Sequence, residues 1–417
     1  MSSTQLARRL RTPDAVVIGL GSMIGAGVFA ALAPAARAAG SGLLVGLALA
    51  GVVAWCNATS SAQLAAQYPS SGGTYFYGRQ RLGEWPGFLA GWGFVVGKTA
   101  SCAAMAVTFA TYAVPADRWV QRVVGATAVV ALTAVNLKGI TRTARLTRLL
   151  VSVTLLVLAT WTVAVLASGH TDSDGLQLTG LSAYGVLQSA GLLFFAFAGY
   201  ARIATLGEEV VEPERTIPRA VLAALAGAFA VYAVVAVVAL AGAGPDALAA
   251  SATPLAHVAS VVGAGWASPI VRVGAAVASL GSLLALLAGV GRTGLAMARE
   301  GDLPRGLASV DPRHQVPDRV QLALAGAVVV LVLTVDLRGV IGFSSFGVLL
   351  YYAVANAAAY TQDPAHRRWP RPVQVLGVVG CLVLVATLPW TSVVAGLAVF
   401  AVGVVGRAVL RRARGSR

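Results

Sequence analysis

The sequence predicts an all-α, polytopic membrane protein of about twelve transmembrane helices, and three observations support this. Hydrophobic residues make up 57% of the 417 positions and charged residues only 11%, whereas a soluble domain carries about 25% charged residues. The apolar residues form long uncharged runs, and about 20 such residues cross the hydrocarbon layer as a helix. Basic residues concentrate in alternate loops, as membrane topology requires. A soluble core is therefore the poorer interpretation.

Twelve runs are long and apolar enough to be predicted as spans, with boundaries that could each slip by a few residues. They are residues 14–37, 41–66, 86–114, 120–137, 146–168, 182–207, 218–243, 268–295, 320–337, 339–360, 373–389 and 391–409. The loops between them are short, and no linker rich in Ser, Pro or charge divides the chain. One membrane domain is expected over residues 1–417.

The location of the basic residues orients the chain. A net charge of +15 would also suit a protein that binds nucleic acid, but these charges follow the loops. With a cytoplasmic N-terminus, 24 basic residues fall inside and five outside, as the positive-inside rule expects. The five outside are Arg37, Arg118, Arg122, Arg272 and Arg338. We expect a multi-pass protein of the cell membrane with both termini cytoplasmic and no nucleic-acid partner.

Several kinds of site are not expected from the sequence. Cys56, Cys102 and Cys381 all lie in predicted spans, which argues against a disulfide framework or a Cys/His metal site. No cleavable signal sequence is evident, because MSSTQLARRLRTPD leads into a long apolar run. The four histidines map to loops and the spans lack a mid-membrane acid pair. An intramembrane enzyme is disfavoured, and no cofactor is expected.

Two spans carry glycine and other small residues near their middle. The first contains GLGSMIGAGVF at 19–29 and the sixth contains FFAFAGYAR at 194–202. Broken helices at corresponding positions are what an inverted repeat of five plus five helices would give. The repeats would cover 14–168 and 182–360, and 373–409 would add helices 11 and 12. The alternative is that these glycines only allow close helix packing.

Four segments resemble the amino acid, polyamine and organocation transporter superfamily, and specifically its bacterial amino acid permeases. They are GSMIGAGVF at 21–29, YPSSGGTYFY at 68–77, FFAFAGYARIATLGEEV at 194–210 and GRTGLAMAREGDLP at 291–304. The resemblance implies a leucine-transporter-like fold of five plus five helices with two further C-terminal helices. It also implies secondary active transport of an amino acid by alternating access.

A zwitterionic substrate needs partners for its carboxylate and its ammonium group, because unpaired charges are costly in low dielectric. An interrupted helix offers free N–H groups on its second half and free carbonyl groups on its first half. By this logic and by the resemblance, N–H groups around Ala26 and Gly27 would hold the carboxylate, and carbonyl groups the ammonium. The expected substrate-binding residues are Met23, Ile24, Gly25, Ala26, Gly27, Phe195, Ala196, Ala198 and Gly199.

Aromatic residues near the second break are gate candidates. Phe195 falls where the resemblance implies an aromatic gate residue, and Phe197 and Tyr200 flank it. Aromatic side chains in a membrane protein also pack in the core or face lipid, so that alternative stays open. Of the three residues, Phe195 is the preferred gate.

Two basic residues within spans are candidates for coupling. Lys98 lies mid-span with no acidic residue in the same helix, and intramembrane lysines are functional candidates. Burial disfavours a charged lysine, which suits reversible protonation coupled to transport. The alternative is a lysine that bonds the carbonyl groups of a broken helix. Arg202 could contact an anionic substrate group or pair with Glu208 or Glu209.

The acidic residues indicate the class of substrate. All sixteen Asp and Glu residues fall at span ends or in loops, so a cationic substrate would find no counter-ion at the midplane. A neutral amino acid is favoured. Sodium would need ligands from the first and eighth spans, where Ser279 and Ser282 are available, but serine in such helices usually bonds its own backbone. Proton coupling or exchange is preferred, while an exporter or exchanger of another organocation and a transporter-like membrane sensor remain alternatives.

Overall fold

A computed structural model of the chain describes residues 10–69, 72–139, 144–204 and 209–415. Throughout these ranges the regular structure is helical, and the only strand-like pairing is an isolated parallel bridge between Leu10 and Val210. The all-α prediction is confirmed.

The helices of the first half follow the first five predicted spans. In chain order they are α1 (Thr12–Met23), α2 (Gly27–Ala30), α3 (Leu32–Ala39), α4 (Leu43–Gln67), α5 (Gly73–Leu82), α6 (Glu84–Ala113), α7 (Arg118–Leu137) and α8 (Ala144–Ala167). The first span is divided into α1, α2 and α3, because the helix is interrupted between Met23 and Gly27. Helix α5 was not predicted, and it lies in the loop after the second span.

The second half continues the same pattern. Its helices are α9 (Ala183–Phe197), α10 (Ala201–Ala204), α11 (Pro213–Ala250), α12 (Pro254–Val261), α13 (Ala267–Arg299), α14 (Asp318–Thr334), α15 (Leu337–Tyr360), α16 (Arg371–Thr387) and α17 (Trp390–Gly415). Helix α11 bends at Gly244, whose positive φ of 73° suits glycine. Helices α9 and α10 together form the sixth span, with an interruption between them.

The length and hydropathy of the helices fit a multi-pass membrane protein. In the part of the chain that the structure describes, nine helical segments are long and apolar enough to cross a membrane. The three remaining predicted spans coincide with shorter helices, namely α9 with α10, α14 and α16. Every predicted span therefore contains a helix, and the prediction of about twelve spans agrees with the fold.

Burial separates the inner helices from those that face lipid. The most apolar windows of α6 and α15 are 67% and 72% buried, whereas those of α7 and α17 are 22% and 17% buried. The outer helices expose large apolar side chains such as Val130 and Val402, as lipid contact allows. Helices α6 and α15 touch directly, and the hydroxyls of Ser101 and Ser344 lie 2.7 Å apart between them.

A buried polar cluster joins four elements at the end of the molecule where α17 terminates. The carboxylate of Asp302 accepts hydrogen bonds from Tyr75 at 2.8 Å, Arg79 at 3.0 Å and Arg407 at 2.7 Å. Arg407 is only 1% exposed, and its guanidinium lies 4.4 Å from the ring centre of Trp85. Burial, together with the Asp302 charge, raises the pKa of the Tyr75 phenol, so this hydroxyl stays a donor. The cluster fixes α5, α6 and α17 to the segment after α13.

Candidate substrate-binding site

The first break lies between α1 and α2. Helix α1 ends at Met23 and α2 begins at Gly27, so Ile24, Gly25 and Ala26 connect the two halves. Within the described residues, the backbone N–H groups of Ala26 and Gly27 donate to no acceptor. Free N–H groups at the start of a helix attract a carboxylate. The predicted carboxylate-binding groups are therefore free in this fold.

The second break lies against the first. Helix α9 ends at Phe197 and α10 begins at Ala201. A Cβ added to Gly199 would overlap the carbonyl group of Ser22, and one added to Gly27 would lie 2.7 Å from the Cα of Ala196. Only glycine permits these approaches. The structure thus brings the two breaks into direct backbone contact.

A tyrosine that sequence reasoning missed bridges the two breaks. The hydroxyl of Tyr232 on α11 lies 2.6 Å from the carbonyl oxygen of Met23 and 2.9 Å from that of Ala196. Because one O–H group donates one hydrogen, the two carbonyl groups share this donor. Both were predicted to hold the substrate ammonium group. The available signal was that Tyr232 is the only polar side chain in the apolar run AFAVYAVVAVV.

Lys98 contacts the second break directly. Its side chain is buried in α6, and Nζ donates to the carbonyl oxygen of Ala198 at 2.9 Å. The hydroxyl of Tyr352 lies 3.4 Å from the same oxygen. In the ranges described, Lys98 forms no ion pair with a carboxylate. This geometry matches the arrangement in which the lysine bonds a broken helix.

The three aromatic gate candidates point to different surroundings. Phe195 is 7% exposed and belongs to a buried apolar cluster that also contains Ala26 and Ala30 beside the first break. Phe197 packs edge to face on Tyr232, with ring centres 5.1 Å apart. Tyr200 packs on Tyr352 at 5.0 Å. Phe195 therefore shares a cluster with Ala26 and Ala30, whereas Phe197 and Tyr200 belong to a second cluster that contains Met23 and Ile24.

Arg202 lies beyond the second break on α10. It is half-buried, and its charged neighbours are Arg292 and Glu209. Glu208, the other predicted partner, lies outside the described residues. The structure therefore brings Arg202 toward one of its two predicted carboxylates.

A cavity of about 10 Å³ lies where α1, α8 and α13 meet. It is lined by Gly21, Ile24, Gly25 and Ser282 among others, and a space of about 10–15 Å³ holds one water-sized particle. Within the described residues, the buried hydroxyls of Ser279 and Ser282 have no hydrogen-bond partner. The first break and Ser282 of α13 therefore meet, as a cation site between these helices would require.

Comparison with known proteins adds an independent observation. A family model described as amino acid permease matches residues 10–405. The chain is 59% identical to an uncharacterized transporter of Mycobacterium tuberculosis, over 98% of this chain and 94% of that protein. It is 25% identical to a branched-chain amino acid permease of Bacillus subtilis, over 96% and 92%. It is 27% identical to a chloroplastic cationic amino acid transporter of Arabidopsis thaliana, over 86% and 66%.

Proposed function

Because this chain belongs to the amino acid permease family, we propose that it is a secondary active transporter that carries a neutral amino acid by alternating access. The family assignment confirms the resemblance found in the sequence motifs, and the family and its relatives are transporters rather than enzymes. The observation that carries the proposal is the pair of interrupted helices in backbone contact at Gly199 and Ser22.

The proposed substrate pose uses backbone groups of both breaks. The carboxylate binds the free N–H groups of Ala26 and Gly27, where the positive end of a helix begins. The ammonium group binds the carbonyl groups of Ile24 and Phe195. It shares those of Met23, Ala196 and Ala198 with Tyr232 and Lys98, since each carbonyl oxygen has two lone pairs. A small zwitterion is then fully paired, as a low-dielectric site requires.

The charges near the breaks favour a substrate without a positive side chain. Among the described residues, Asp302 is the one acidic side chain that is buried, and its oxygens already accept from Arg79 and Arg407. A lysine or arginine substrate would meet the Lys98 ammonium group and no free carboxylate. A neutral substrate is therefore proposed for this chain rather than a cationic one.

For the transport cycle, we propose two repeats, residues 14–168 and 182–360, that move against each other around the breaks. Phe195 closes the outer side from within the apolar cluster that it shares with Ala26 and Ala30. Lys98 couples proton movement to the cycle, because losing its proton would release Ala198. The protein resides in the cell membrane with cytoplasmic termini, as its charge bias favours.

Counterflow in proteoliposomes tests the proposal. Vesicles loaded with an unlabelled neutral amino acid should accumulate the labelled form, and a pH gradient should change the rate if protons are coupled. Lysine should not exchange. Binding without flux would favour the sensor alternative, and lysine exchange would favour the organocation alternative. Absence of both binding and flux in folded protein would contradict an amino acid carrier.

A further inference from the structure

A cavity of about 260 Å³ opens on the face opposite the start of α1 and the end of α17. It lies where α3, α6 and α14 end and where α7 and α15 begin. Four arginines and one aspartate line it, and we call it the arginine vestibule. These residues are Arg37, Arg118, Arg122, Arg338 and Asp336.

The arginine vestibule gathers nearly all the basic charge of its face. Topology leaves five basic residues on this side of the membrane, and four of them line one cavity. The fifth, Arg272, donates to the carbonyl oxygen of Thr111 at 3.5 Å, and Thr111 also lines the cavity. The positive-inside rule disfavours basic residues here, so their concentration calls for another physical cause.

The four guanidinium groups have no carboxylate partner in the part of the chain that the structure describes. Arg37 donates to the carbonyl oxygen of Ala249 at 2.6 Å, and Arg338 to the side-chain oxygen of Gln188 at 2.9 Å. Both acceptors are neutral. Asp336, the one carboxylate of the cavity, accepts from the N–H of Gly339 at 2.9 Å and caps α15. Within the described residues, no salt bridge joins a carboxylate to any of the four arginines.

Three of the arginines have donors without a protein acceptor in the part of the chain that the structure describes, and Arg118 is exposed to solvent. In the described part of the chain, Arg118 and Arg122 make no side-chain hydrogen bond, and Nε of Arg338 is buried without an acceptor. A buried donor without a partner costs free energy that a ligand can recover. The charge and the free donors both indicate an anionic ligand.

The vestibule lies directly outside the apolar cluster that contains Phe195. Ala30 and Val332 belong to that cluster and also line the vestibule, while Ala26 of the first break belongs to the cluster but does not line the vestibule. The apolar cluster therefore lies between a molecule in the vestibule and the first break. The site is distinct from the proposed transport site and lies on the route to it.

We propose that the arginine vestibule is an outer binding site for an acidic amino acid. Guanidinium groups bind carboxylates bidentately. The two carboxylates of an acidic amino acid would therefore find four guanidinium groups in a cavity that contains one carboxylate of its own, that of Asp336. A concave site of one charge sign concentrates ligands of the opposite sign, and the volume suits a small molecule. The choice of an amino acid over another anion rests on the proposed function, and cationic amino acids are repelled.

Equilibrium binding of labelled l-glutamate to the purified full chain at low ionic strength tests the proposal. The double variant Arg118→Gln/Arg122→Gln removes two arginines that have no protein partner, and it should weaken binding about tenfold for each lost charged contact. Arg313→Gln, in an exposed loop between α13 and α14, is the matched control and should leave binding unchanged. Asp336→Asn should tighten binding, because it removes the opposing carboxylate while asparagine still caps α15.

Two competitors define the ligand. Excess l-glutamine and excess sulfate should both displace glutamate weakly. The assignment would be overturned if glutamine or sulfate displaced labelled glutamate as well as unlabelled glutamate does. Unchanged glutamate binding in the double variant would also overturn it. Neutral amino acid counterflow on the same variants separates the two proposals. If neutral amino acids exchange but glutamate does not bind, only the proposed vestibule site is contradicted. If glutamate binds in a way that depends on the vestibule arginines but neutral amino acids do not exchange, only the proposed carrier function is contradicted.

Discussion

The ammonium group of Lys98 lies 2.9 Å from the carbonyl oxygen of Ala198. This contact joins α6 to the break between α9 and α10, without help from a carboxylate in the described residues. A neutral lysine would hold the carbonyl group less strongly, since charge-assisted hydrogen bonds are about twice as strong as neutral ones. Protonation at this position can therefore control how firmly the second break is held.

Replacing Lys98 by Met should abolish the pH dependence of uptake and slow transport about tenfold or more, because the Ala198 carbonyl group loses its charged donor. Uptake into proteoliposomes at two external pH values measures both effects. Lys138→Met is the matched control, since Lys138 is the only other lysine and is exposed. Full pH-dependent uptake in the Lys98 variant would exclude the coupling role.

Replacing Gly27 by Ala should prevent transport, because the new methyl group would lie 2.7 Å from the Cα of Ala196. Gly27→Leu should be at least as damaging. Gly289→Ala, at a helical position with no atom within 4 Å of the added Cβ, should leave transport intact and raise stability by about 0.5–1 kcal/mol. Counterflow and thermal unfolding of the three variants provide the comparison. Normal transport by Gly27→Leu would rule out the backbone site.

Replacing Tyr232 by Phe should lower the free energy of unfolding by about 1–3 kcal/mol, because the carbonyl groups of Met23 and Ala196 lose their shared donor. Transport should weaken as the two breaks separate. Tyr360→Phe, at an exposed tyrosine, serves as the control in denaturation and counterflow. Equal behaviour of the two variants would mean that the bridge does not hold the breaks together.

Replacing Phe195 by Ala should impair occlusion. The measurement is labelling of Cys102, a buried cysteine in the same apolar cluster as Phe195, by a membrane-impermeant thiol reagent. Labelling should be faster than in the parent protein because the shortened side chain leaves a void toward the arginine vestibule. Cys56 and Cys381 lie outside that cluster and should react at unchanged rates. An unaltered rate at Cys102 would argue against a Phe195 gate.

Replacing Asp302 by Asn should lower the free energy of unfolding by about 3–5 kcal/mol, because the fully buried Arg407 would lose its buried carboxylate partner and keep only the more distant, exposed Glu84. Glu300→Gln removes a carboxylate that contacts Arg79 at 3.3 Å from an exposed position, so it should cost less than about 1 kcal/mol. Denaturant unfolding distinguishes the two. If the two variants lost similar amounts of unfolding free energy, the interaction of Asp302 with Arg407 would contribute no more to stability than an exposed ion pair.

The fold could be predicted largely from the sequence, because the bilayer imposes a simple length rule on apolar runs. Both breaks could be located from segments that carry glycine and other small residues near the middle of a span. Gly27 and Gly199 indeed occupy positions where a Cβ does not fit. Helix α5 was missed because its mixed polar and aromatic residues carry no span-length signal. Its tyrosines are buried against other elements only after folding.

The candidate site could be predicted in its backbone groups but not in its side-chain partners. The carbonyl groups of Met23 and Ala196 were expected to be free for substrate, yet Tyr232 occupies both from a helix more than 30 residues away in sequence. The arginine vestibule joins Arg37 to Arg338 across most of the chain. Contacts between residues so distant in sequence depend on how the helices pack, and no local sequence pattern predicts them.

The backbone contact at Gly199 and Ser22 has a mechanical consequence. At this contact the two backbones touch directly, so a displacement of one interrupted helix is not absorbed by a side chain at that point. In the proposed cycle, a displacement that opens the pathway on one side of the membrane is transmitted to the other side, because the two helices pivot about this contact. For the carrier proposed above, this coupling would keep the two sides of the pathway from opening together and so would limit leakage.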